Sequence, residues 1–379
     1  MYDAVVVGGG IVGASTAYHL ARSGTRTLLL DRRDEGRATD AGAGIVSPAT
    51  SSRTDDVDWF QFAVDGFEYY RPLVDRLETE SDESTGVART GLLAVALGEA
   101  DVERFEHRLA AIERRSSEIG YPEPGTVEEI DPGLAGELFP PLSDAHRVFK
   151  YENGMRIDGT KLTTALQRAG ESHGLAITHE DVTGIETENG QVTGVVGRHD
   201  RYEADAVVVA GGAWSGKFGD QLGVAVPVEP QRGQLVHLDL PETDPVDWPI
   251  VTGFRDHYLV PWPDGRIVAG ATREADAGFD PRPTPGGVRT VLDGALRLAP
   301  GLEAATFRDV DVGLRPASPD GRPILGPVPD VDGAFLATGH GPTGLQIGPY
   351  SGRIVAQLVR DETPEADVSA FRPDRFSRE

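Results

Sequence analysis

The chain has 379 residues, of which 61 are acidic and 36 basic, and its formal net charge of −25 at pH 7 argues against nucleic acid or an anionic membrane as a partner. We expect two domains at this length, and a cytoplasmic protein without a signal peptide, because no run approaches the ~20 apolar residues of a membrane span and the chain starts directly with a strand. Cysteine is absent and the nine histidines form no cluster, which excludes disulfides and cysteine-held metals and predicts no metal site.

The first elements form a strand–turn–helix–strand unit. The apolar run at 4–7 predicts a buried strand, and the spacing at 11–22 predicts a helix that follows a glycine-rich turn. A second apolar strand at 27–30 ends at the acidic Asp31. This order is typical of the part of an α/β fold that binds a dinucleotide.

The turn carries the spacing Gly8-x-Gly10-x-x-Gly13. Gly8 permits the tight turn, Gly10 lets the backbone approach a pyrophosphate, and Gly13 lets helix and strand pack closely. The helix start offers free N–H groups to the phosphates, and Asp31 can accept hydrogen bonds from an adenosine ribose. A glycine-rich turn with no ligand is the alternative interpretation.

The segments after this unit predict a loop, two helices and a strand. Residues 37–45 are mostly small, so they could lie against a flat ring system or form an ordinary flexible loop. Apolar spacing predicts a core-packing helix over 57–77 and a strand over 91–97. A charged helix over 100–119 is expected to have a solvated Arg/Glu face, and the prolines and glycines of 121–141 predict a loop.

Further along, the pattern becomes richer in strands. The apolar run from 204, which ends in glycines, is expected to return to the nucleotide site, although an ordinary buried strand is the alternative. Asn189-Gly190 is a hairpin signal. Period-two alternation places Tyr258, Val260 and Trp262 on one face of a hairpin that turns at 263–265. The other predicted segments are helices over 160–172 and 288–298, strands within 176–185, 191–196 and 226–240, and a mobile tail after Asp361.

Two motifs near the carboxyl end complete the pattern. They are Gly313-Leu-Arg-Pro-Ala-Ser-Pro-Asp-Gly-Arg-Pro-Ile-Leu-Gly326 and Ala337-Thr-Gly-His-Gly-Pro-Thr-Gly-Leu-Gln-Ile-Gly348. With the amino-terminal fingerprint, Ala-Gly-Ala-Gly at 41–44 and Ala-Gly-Gly-Ala-Trp-Ser at 210–215, the chain resembles the FAD-dependent amine oxidoreductases of the D-amino acid oxidase superfamily. Within it, the chain is most similar to glycine oxidase, sarcosine oxidase and D-amino acid dehydrogenase. The resemblance runs from Asp3 to about Arg360.

The resemblance implies an α/β protein with two discontinuous domains. A Rossmann-type domain from residues 1–88, 148–225 and 312–379 would bind FAD. A mostly antiparallel β domain from 89–147 and 226–311 would cover the flavin and hold the substrate. Because the chain has no cysteine, a thioether to the flavin is excluded and FAD is expected to be non-covalent.

The resemblance also implies which residues hold FAD. The amino-terminal motif would hold the ADP half of FAD. Residues 43–45 would run alongside the isoalloxazine ring, and Val182 would contact adenine through its backbone. A helix predicted over 345–358 would aim its start at the ring and favour the negative charge of a reduced flavin, although a plain helix start is the alternative. The expected cofactor-binding residues are Gly8, Gly10, Ile11, Val12, Gly13, Asp31, Arg32, Arg33, Thr39, Ala43, Gly44, Ile45, Val182, Ala210, Gly211, Trp214, Gly339, His340, Gly341, Thr343, Gly344 and Leu345.

Arg315 and Tyr258 are the expected catalytic residues. A guanidinium fork binds a carboxylate bidentately, and the matching arginine and tyrosine of glycine oxidase-like proteins reach the substrate carboxylate. A structural salt bridge for Arg315 and plain packing for Tyr258 are the alternatives. Gln234 is expected to face the pocket, whereas for His257 and His340 a structural role is at least as well supported as a catalytic one.

The implied reaction is oxidation of the C–N bond of a small amino acid: a D-amino acid, glycine or an N-methyl amino acid. Hydride would go to the flavin, the imine would hydrolyse, and oxygen or another electron acceptor would reoxidise the flavin. Pro342-Thr343 replaces the Arg-Asn pair of glycine oxidase, which removes one anion contact and argues against strict glycine specificity. The alternatives are oxidation of a 2-hydroxy acid or polyol phosphate, a non-catalytic flavin subunit of a larger dehydrogenase, and a nicotinamide enzyme. The oligomeric state is left open.

The acidic surplus is spread along the whole chain. We expect adaptation to a high-salt cytoplasm, as in a haloarchaeal protein, because salt screens the self-repulsion of such a surface. An acidic protein from a GC-rich organism without that adaptation is the alternative.

Overall fold

The computed structural model describes residues 1–53, 56–240 and 245–376. Helices and strands are mixed along this part of the chain, with uninterrupted runs of strands at β9–β12 and β13–β16. Its α-helices are α1 (Ile11–Arg22), α2 (Val57–Glu80), α3 (Glu99–Ile119), α4 (Pro132–Leu138), α5 (Gly159–Ser172), α6 (Gly219–Leu222), α7 (Pro285–Leu298) and α8 (Gly344–Val359). Its strands are β1 (Tyr2–Val7), β2 (Thr27–Asp31), β3 (Ile45–Val46), β4 (Val87–Arg89), β5 (Leu92–Ala96), β6 (Val127–Ile130), β7 (Arg147–Tyr151), β8 (Met155–Ile157), β9 (Ala176–His179), β10 (Val182–Glu188), β11 (Gln191–Gly197), β12 (Arg201–Val209), β13 (Glu229–Asp239), β14 (Ile250–Gly253), β15 (Tyr258–Pro261), β16 (Arg266–Gly270), β17 (Thr306–Ala317), β18 (Ile324–Pro327) and β19 (Ala334–Thr338).

The first large sheet is built on parallel strands. Its order is β10-β11-β12-β1-β2-β9, and β12 also pairs with β19, which in turn pairs with β18. β1 lies parallel between β12 and β2, with Val7 opposite both Val209 and Leu30. These strands are continuous apolar runs because both faces of the sheet are covered. Helices α1, α2, α5 and α8 share the core on one side.

The second large sheet has the order β17-β13-β16-β15-β14-β5-β7-β6. Every neighbouring pair is antiparallel except β14 and β5. Helices α4 and α7 pack on one face, where Phe139 and Leu298 are buried. On the other face, Val260 and Trp262 pack near Ala43 and Ile45, which brings the small-residue stretch onto this sheet.

The α/β architecture with a mostly antiparallel second sheet is as expected from the sequence. α1 has the predicted bounds, and Asn189-Gly190 joins β10 to β11 as an antiparallel hairpin. The division into two domains stays a prediction; β7 and β17 belong to the second sheet although each crosses one of the predicted boundaries. No described helix is long and apolar enough to cross a membrane.

Two expectations about irregular segments are wrong. Residues 121–141 contain β6 and α4, and α4 starts where the Asp131 side chain accepts a hydrogen bond from Gly133 N at 2.8 Å with Pro132 in the first turn. The tail after Asp361 is packed rather than mobile over its described residues. Phe371 is fully buried, and its ring lies 5.1 Å from that of Phe62 because it completes the core beneath α2.

Candidate active site

A cavity of about 490 Å³ is lined by both large sheets. The carboxyl ends of β1, β2, β12 and β19 open into it, which is where open α/β sheets bind their ligands. The second sheet contributes Thr252, Tyr258 and Arg315 from its face opposite α7. A ligand in this cavity would therefore contact both sheets.

Two helices start at this cavity without a side-chain cap. The residues that precede α1 and α8, Gly10 and Thr343, make no side-chain capping hydrogen bond, and neither helix has an acidic residue in its first turn. In contrast, α2, α5 and α7 are capped by Asp56, Asp158 and Thr284. Uncapped helix starts carry free N–H groups and a positive dipole end, so this cavity is prepared to hold negative charge at two places.

The glycines before α1 are required by close backbone contacts. Gly8 has a φ of 107°, which disfavours any other residue, and a Cβ on Gly13 would overlap the Gly8 carbonyl oxygen. The Thr39 Oγ1 accepts a hydrogen bond from Ile11 N at 3.1 Å, which fixes the loop after β2 against the helix start. The backbone of this turn is thus held close to the cavity with no side chain in between.

Carboxylates and cations are paired where β2 ends. Asp31 lies 3.2 Å from the Arg37 guanidinium and accepts a hydrogen bond from Arg33 N at 3.1 Å. The two oxygens of a carboxylate have about four acceptor positions, so Asp31 retains capacity for ribose hydroxyls. Arg32 pairs with Asp181 at 3.1 Å, and Val182 O accepts from Lys217 Nζ at 2.8 Å.

At the start of α8, His340 is a buried, neutral side chain. Burial lowers the pKa of His340 to about 3. Its Nε2 lies 3.0 Å from Ser351 Oγ, and that hydroxyl donates to Ile347 O at 3.0 Å. The Ser351 hydroxyl thus links the imidazole of His340 to the backbone of α8. His340 is therefore an anchor for the loop at the cavity rather than a cation.

Arg315 and Tyr258 meet on the second sheet. The Arg315 guanidinium donates to Thr272 O at 2.9 Å and hydrogen-bonds the Tyr258 hydroxyl. A Cβ on Gly233 would overlap the guanidinium, and a Cβ on Gly270 would overlap the tyrosine ring. Both side chains thus lie flat against glycine backbone, and their polar ends face the cavity. Burial lowers the pKa of Arg315 and raises the pKa of Tyr258.

Behind Arg315 lies a buried polar network. Glu274 accepts hydrogen bonds from Thr272 Oγ1 at 2.6 Å and Gln234 Nε2 at 2.7 Å, and it pairs with Arg232 at 2.6 Å. This network holds the strand end whose carbonyl accepts from Arg315. The expectation that Gln234 faces the pocket is therefore wrong, because its amide is fully buried among these partners. His257 also lies away from the cavity lining, with its ring packed over Gly294.

The comparison with known proteins decides the family. Residues 3–358 match the sequence profile of the DAO family, which is described as FAD dependent oxidoreductase. The chain belongs to the FAD-dependent oxidoreductase family. It is 38% identical to the uncharacterized oxidoreductase YurR of Bacillus subtilis over 98% of this chain and 99% of that protein. It is 32% identical to glycine oxidase of Pseudomonas putida over 98% of each chain. Among solved structures, iminodiacetate oxidase from Chelativorans sp. BNC1 has a TM-score of 0.92 and 37% identity over 98% of each chain.

The cavity of this FAD-dependent oxidoreductase fits its family's cofactor. A volume of about 490 Å³ lies within the usual range of about 300–1,000 Å³ for ligand sites. The start of α1 suits the FAD pyrophosphate, which is negatively charged. The start of α8 suits the isoalloxazine ring, which becomes negatively charged when it is reduced. The loop at 41–44 packs closely on the backbone of Ile157, because a Cβ on Gly44 would overlap the Ile157 carbonyl oxygen.

Most of the expected residues of this oxidoreductase line the cavity. Arg315, Tyr258 and nineteen of the expected cofactor residues do so. Gly13, Arg33 and Gly339 lie outside the lining. Gly13 packs on Gly8, the Arg33 side chain is exposed, and Gly339 faces Ile324 and Ser318.

Sequence reasoning missed several lining residues of the oxidoreductase. Gln346 donates no hydrogen bond from its buried Nε2 within the described residues, while its Oε1 accepts from Ser47 N at 3.2 Å. It lies within the motif at 337–348, so its place could have been anticipated. Arg108, on α3, gave no such signal because it lies in a run of charged residues that looked uniformly solvated.

Proposed function

We propose that this oxidoreductase oxidises the C–N bond of a small amino acid: a D-amino acid, glycine or an N-methyl amino acid. The observation that carries the proposal is the pairing of Arg315 with Tyr258 over two glycines in a cavity that fits FAD. A guanidinium fork without a carboxylate partner among the described residues suits the carboxylate of an amino acid. Because the chain has no cysteine, we propose that FAD is held non-covalently.

Each of the two side chains has a defined role. Arg315 commits one N–H to Thr272 O and another to the Tyr258 hydroxyl, and its other N–H donors are available for a carboxylate. The raised pKa of Tyr258, caused by burial, keeps its hydroxyl protonated at neutral pH. The hydroxyl can therefore accept from Arg315 and donate to the same carboxylate. Together they fix the α-carbon of the substrate relative to the sheet.

No strong base is required from the protein. Bound FAD supplies the two-electron acceptor for the hydride of the α-carbon, and the imine product hydrolyses in water. If the substrate binds with a neutral nitrogen, no proton has to be removed by a side chain. Burial keeps His340 neutral, so it adds no positive charge to the cavity.

The relatives support this chemistry. Glycine and iminodiacetate, which are named for relatives 32% and 37% identical, both carry a nitrogen one carbon from a carboxylate. A carboxylate anchor and hydride removal from that carbon would serve either compound. The experiment that tests the proposal is steady-state kinetics of Arg315→Ala and Arg315→Lys with a panel of amino acids. We expect KM to rise about 100-fold in the first and about 10-fold in the second, with FAD content unchanged; unchanged KM in both variants would contradict it.

A further inference from the structure

We propose that the substrate carries a second acid group and that Arg108 binds it. This inference rests on the proposed function, because it assigns Arg315 and Tyr258 to the first carboxylate. The substrate class is then a small amino acid with two acid groups, such as an N-carboxyalkyl or acidic amino acid. Charge is unevenly distributed along the cavity wall.

The cations of the cavity fall into two groups. Arg32, Arg37 and Lys217 each lie within 4 Å of an aspartate at the nucleotide end. The other cations of the lining have no carboxylate within that distance among residues 1–53, 56–240 and 245–376; they are Arg53, Arg108, Arg273 and Arg315. In a chain with 25 more acidic than basic residues, acids are abundant enough to pair them. This wall is therefore left positive for a ligand.

Arg108 differs from the exposed Arg273 because its side chain is only partly exposed and water cannot satisfy all of its donors as easily. Its guanidinium stacks on the Phe254 ring at 4.7 Å, and it makes no hydrogen bond or ion pair in the described part of the chain. Stacking occupies one face of the group, while its N–H groups point outward in the plane. The side chain is only partly exposed, and it lines the cavity. A half-buried guanidinium with no acceptor is costly unless a ligand supplies one.

The other two unpaired arginines suit this role less well. Arg53 donates to the Gly321 carbonyl oxygen and stacks on Trp59 at 4.6 Å, so its donors are partly used. Arg273 is exposed and close enough to Arg315 to lower the pKa of that guanidinium, although burial is the larger cause. Arg273 would therefore lie near the substrate carboxylate that Arg315 binds.

Arg108, on α3, stacks on the turn of the same hairpin that carries Tyr258. Its platform Phe254 follows β14, and Tyr258 begins β15, so one turn places both groups at the cavity. Arg104, one turn earlier on α3, donates to Phe254 O at 3.1 Å and holds the helix to this turn. Asp256 is the charged residue that acts on Arg108; it also lines the cavity, but its side chain is exposed and makes no ion pair within 4 Å of Arg108. Two acid groups of one small molecule could therefore reach Tyr258 and Arg108 together.

The test compares a matched pair of compounds in the FAD-loaded protein. Iminodiacetate and sarcosine share one carboxylate and the secondary amine, and differ in the second acid group. We expect the wild type to be reduced anaerobically by iminodiacetate with a Kd at least 10-fold lower than for sarcosine. Arg108→Gln should raise the iminodiacetate Kd about 10- to 100-fold and leave the sarcosine Kd within about twofold. Arg114→Gln is the control, since Arg114 is exposed on the same helix and outside the cavity lining.

A second readout separates this inference from the proposed function. Succinate and butyrate differ by one acid group and have no C–N bond, so their binding can be measured by calorimetry whether or not amines are oxidised. Tighter binding of succinate that is lost in Arg108→Gln supports the acid site even if no amino acid reduces the flavin. Equal affinities of wild type and Arg108→Gln for the diacids, no preference of the wild type for diacids, or equal losses for both members of a pair would overturn it.

Discussion

The guanidinium of Arg315 on β17 lies against the α-carbon of Gly233 on β13, in the space that a Cβ would fill. Gly233 is opposite Gly313 in the ladder, and Arg315 is opposite Gln231, so the arginine side chain reaches diagonally across the strand pair. Because Gly233 has no side chain, the Arg315 guanidinium can lie flat on the backbone, with its unused N–H groups toward the cavity.

Replacing Gly233 by Ala should therefore weaken substrate binding. The new Cβ displaces the far end of a flexible side chain, so the fold should tolerate it while Arg315 moves from its place. We expect KM for the amino acid substrate to rise about 10-fold or more with little change in FAD content. Gly286→Ala is a suitable control, because a Cβ there meets nothing within 4 Å. Identical kinetics in both variants would show that the packing of Arg315 on Gly233 is unimportant.

The turn before α1 should be far less tolerant. In Gly13→Ala the Cβ would overlap the Gly8 carbonyl oxygen, and backbone cannot move as cheaply as a side chain. We expect the free energy of unfolding to fall by about 1–3 kcal/mol, and the purified protein to contain less FAD. Flavin absorbance per chain and the Tm measure both effects. Gly136→Ala adds the same methyl group in open space on α4, and a comparable loss there would refute the explanation.

The buried histidine at the start of α8 predicts a pH dependence of stability. Burial lowers the pKa of His340 from 6.5 to about 3, so the unfolded chain takes up the proton first as the pH falls. The contribution of this group to the free energy of unfolding is complete above about pH 6.5 and is lost as the pH falls toward 3. In His340→Gln, the fall between pH 6.5 and 4.5 should be smaller by about 2 kcal/mol. Urea denaturation at each pH measures this; the exposed His107→Gln should match the wild type, and an unaltered slope in His340→Gln would contradict the prediction.

Salt should raise the stability of the whole protein. The net charge of −25 opposes the compact state, and screening shortens the range of this repulsion from about 10 Å at 0.1 M to about 3 Å at 1 M. We expect the urea midpoint to rise from 0.1 M to about 2 M KCl. A protein that is most stable at the lowest salt would rule out adaptation to a high-salt cytoplasm.

Local sequence signals predict the structure where β1, β2 and β12 reach the cavity. Gly8, Gly13 and the returning strand β12 lie where their pattern indicates, because a glycine turn between strand and helix has one main solution. The same is true of the β15–β16 hairpin, whose alternation fixes Tyr258 on the inner face.

Features that depend on tertiary contacts cannot be predicted from local sequence patterns. The prolines and glycines around Asp131-Pro132 favour a loop over the start of α4, and the polar residues around Phe371 give no sign that its ring is buried. Gln234 was expected in the pocket, but only the network around Glu274 explains its burial. Arg108 is one charge among many on α3, and its unpaired state follows from the packing of the helix on Phe254.

The most direct test of the account is anaerobic titration of the FAD-loaded wild type and Arg315→Ala with glycine, sarcosine, proline, iminodiacetate and D-amino acids. A matching set of 2-hydroxy acids and glycerol phosphate completes the panel. We predict that at least one amino acid bleaches the flavin absorbance near ~450 nm in the wild type and requires a far higher concentration in Arg315→Ala. A protein that takes up no FAD, or one whose flavin is reduced by a hydroxy acid and by none of the amino acids, would contradict the account.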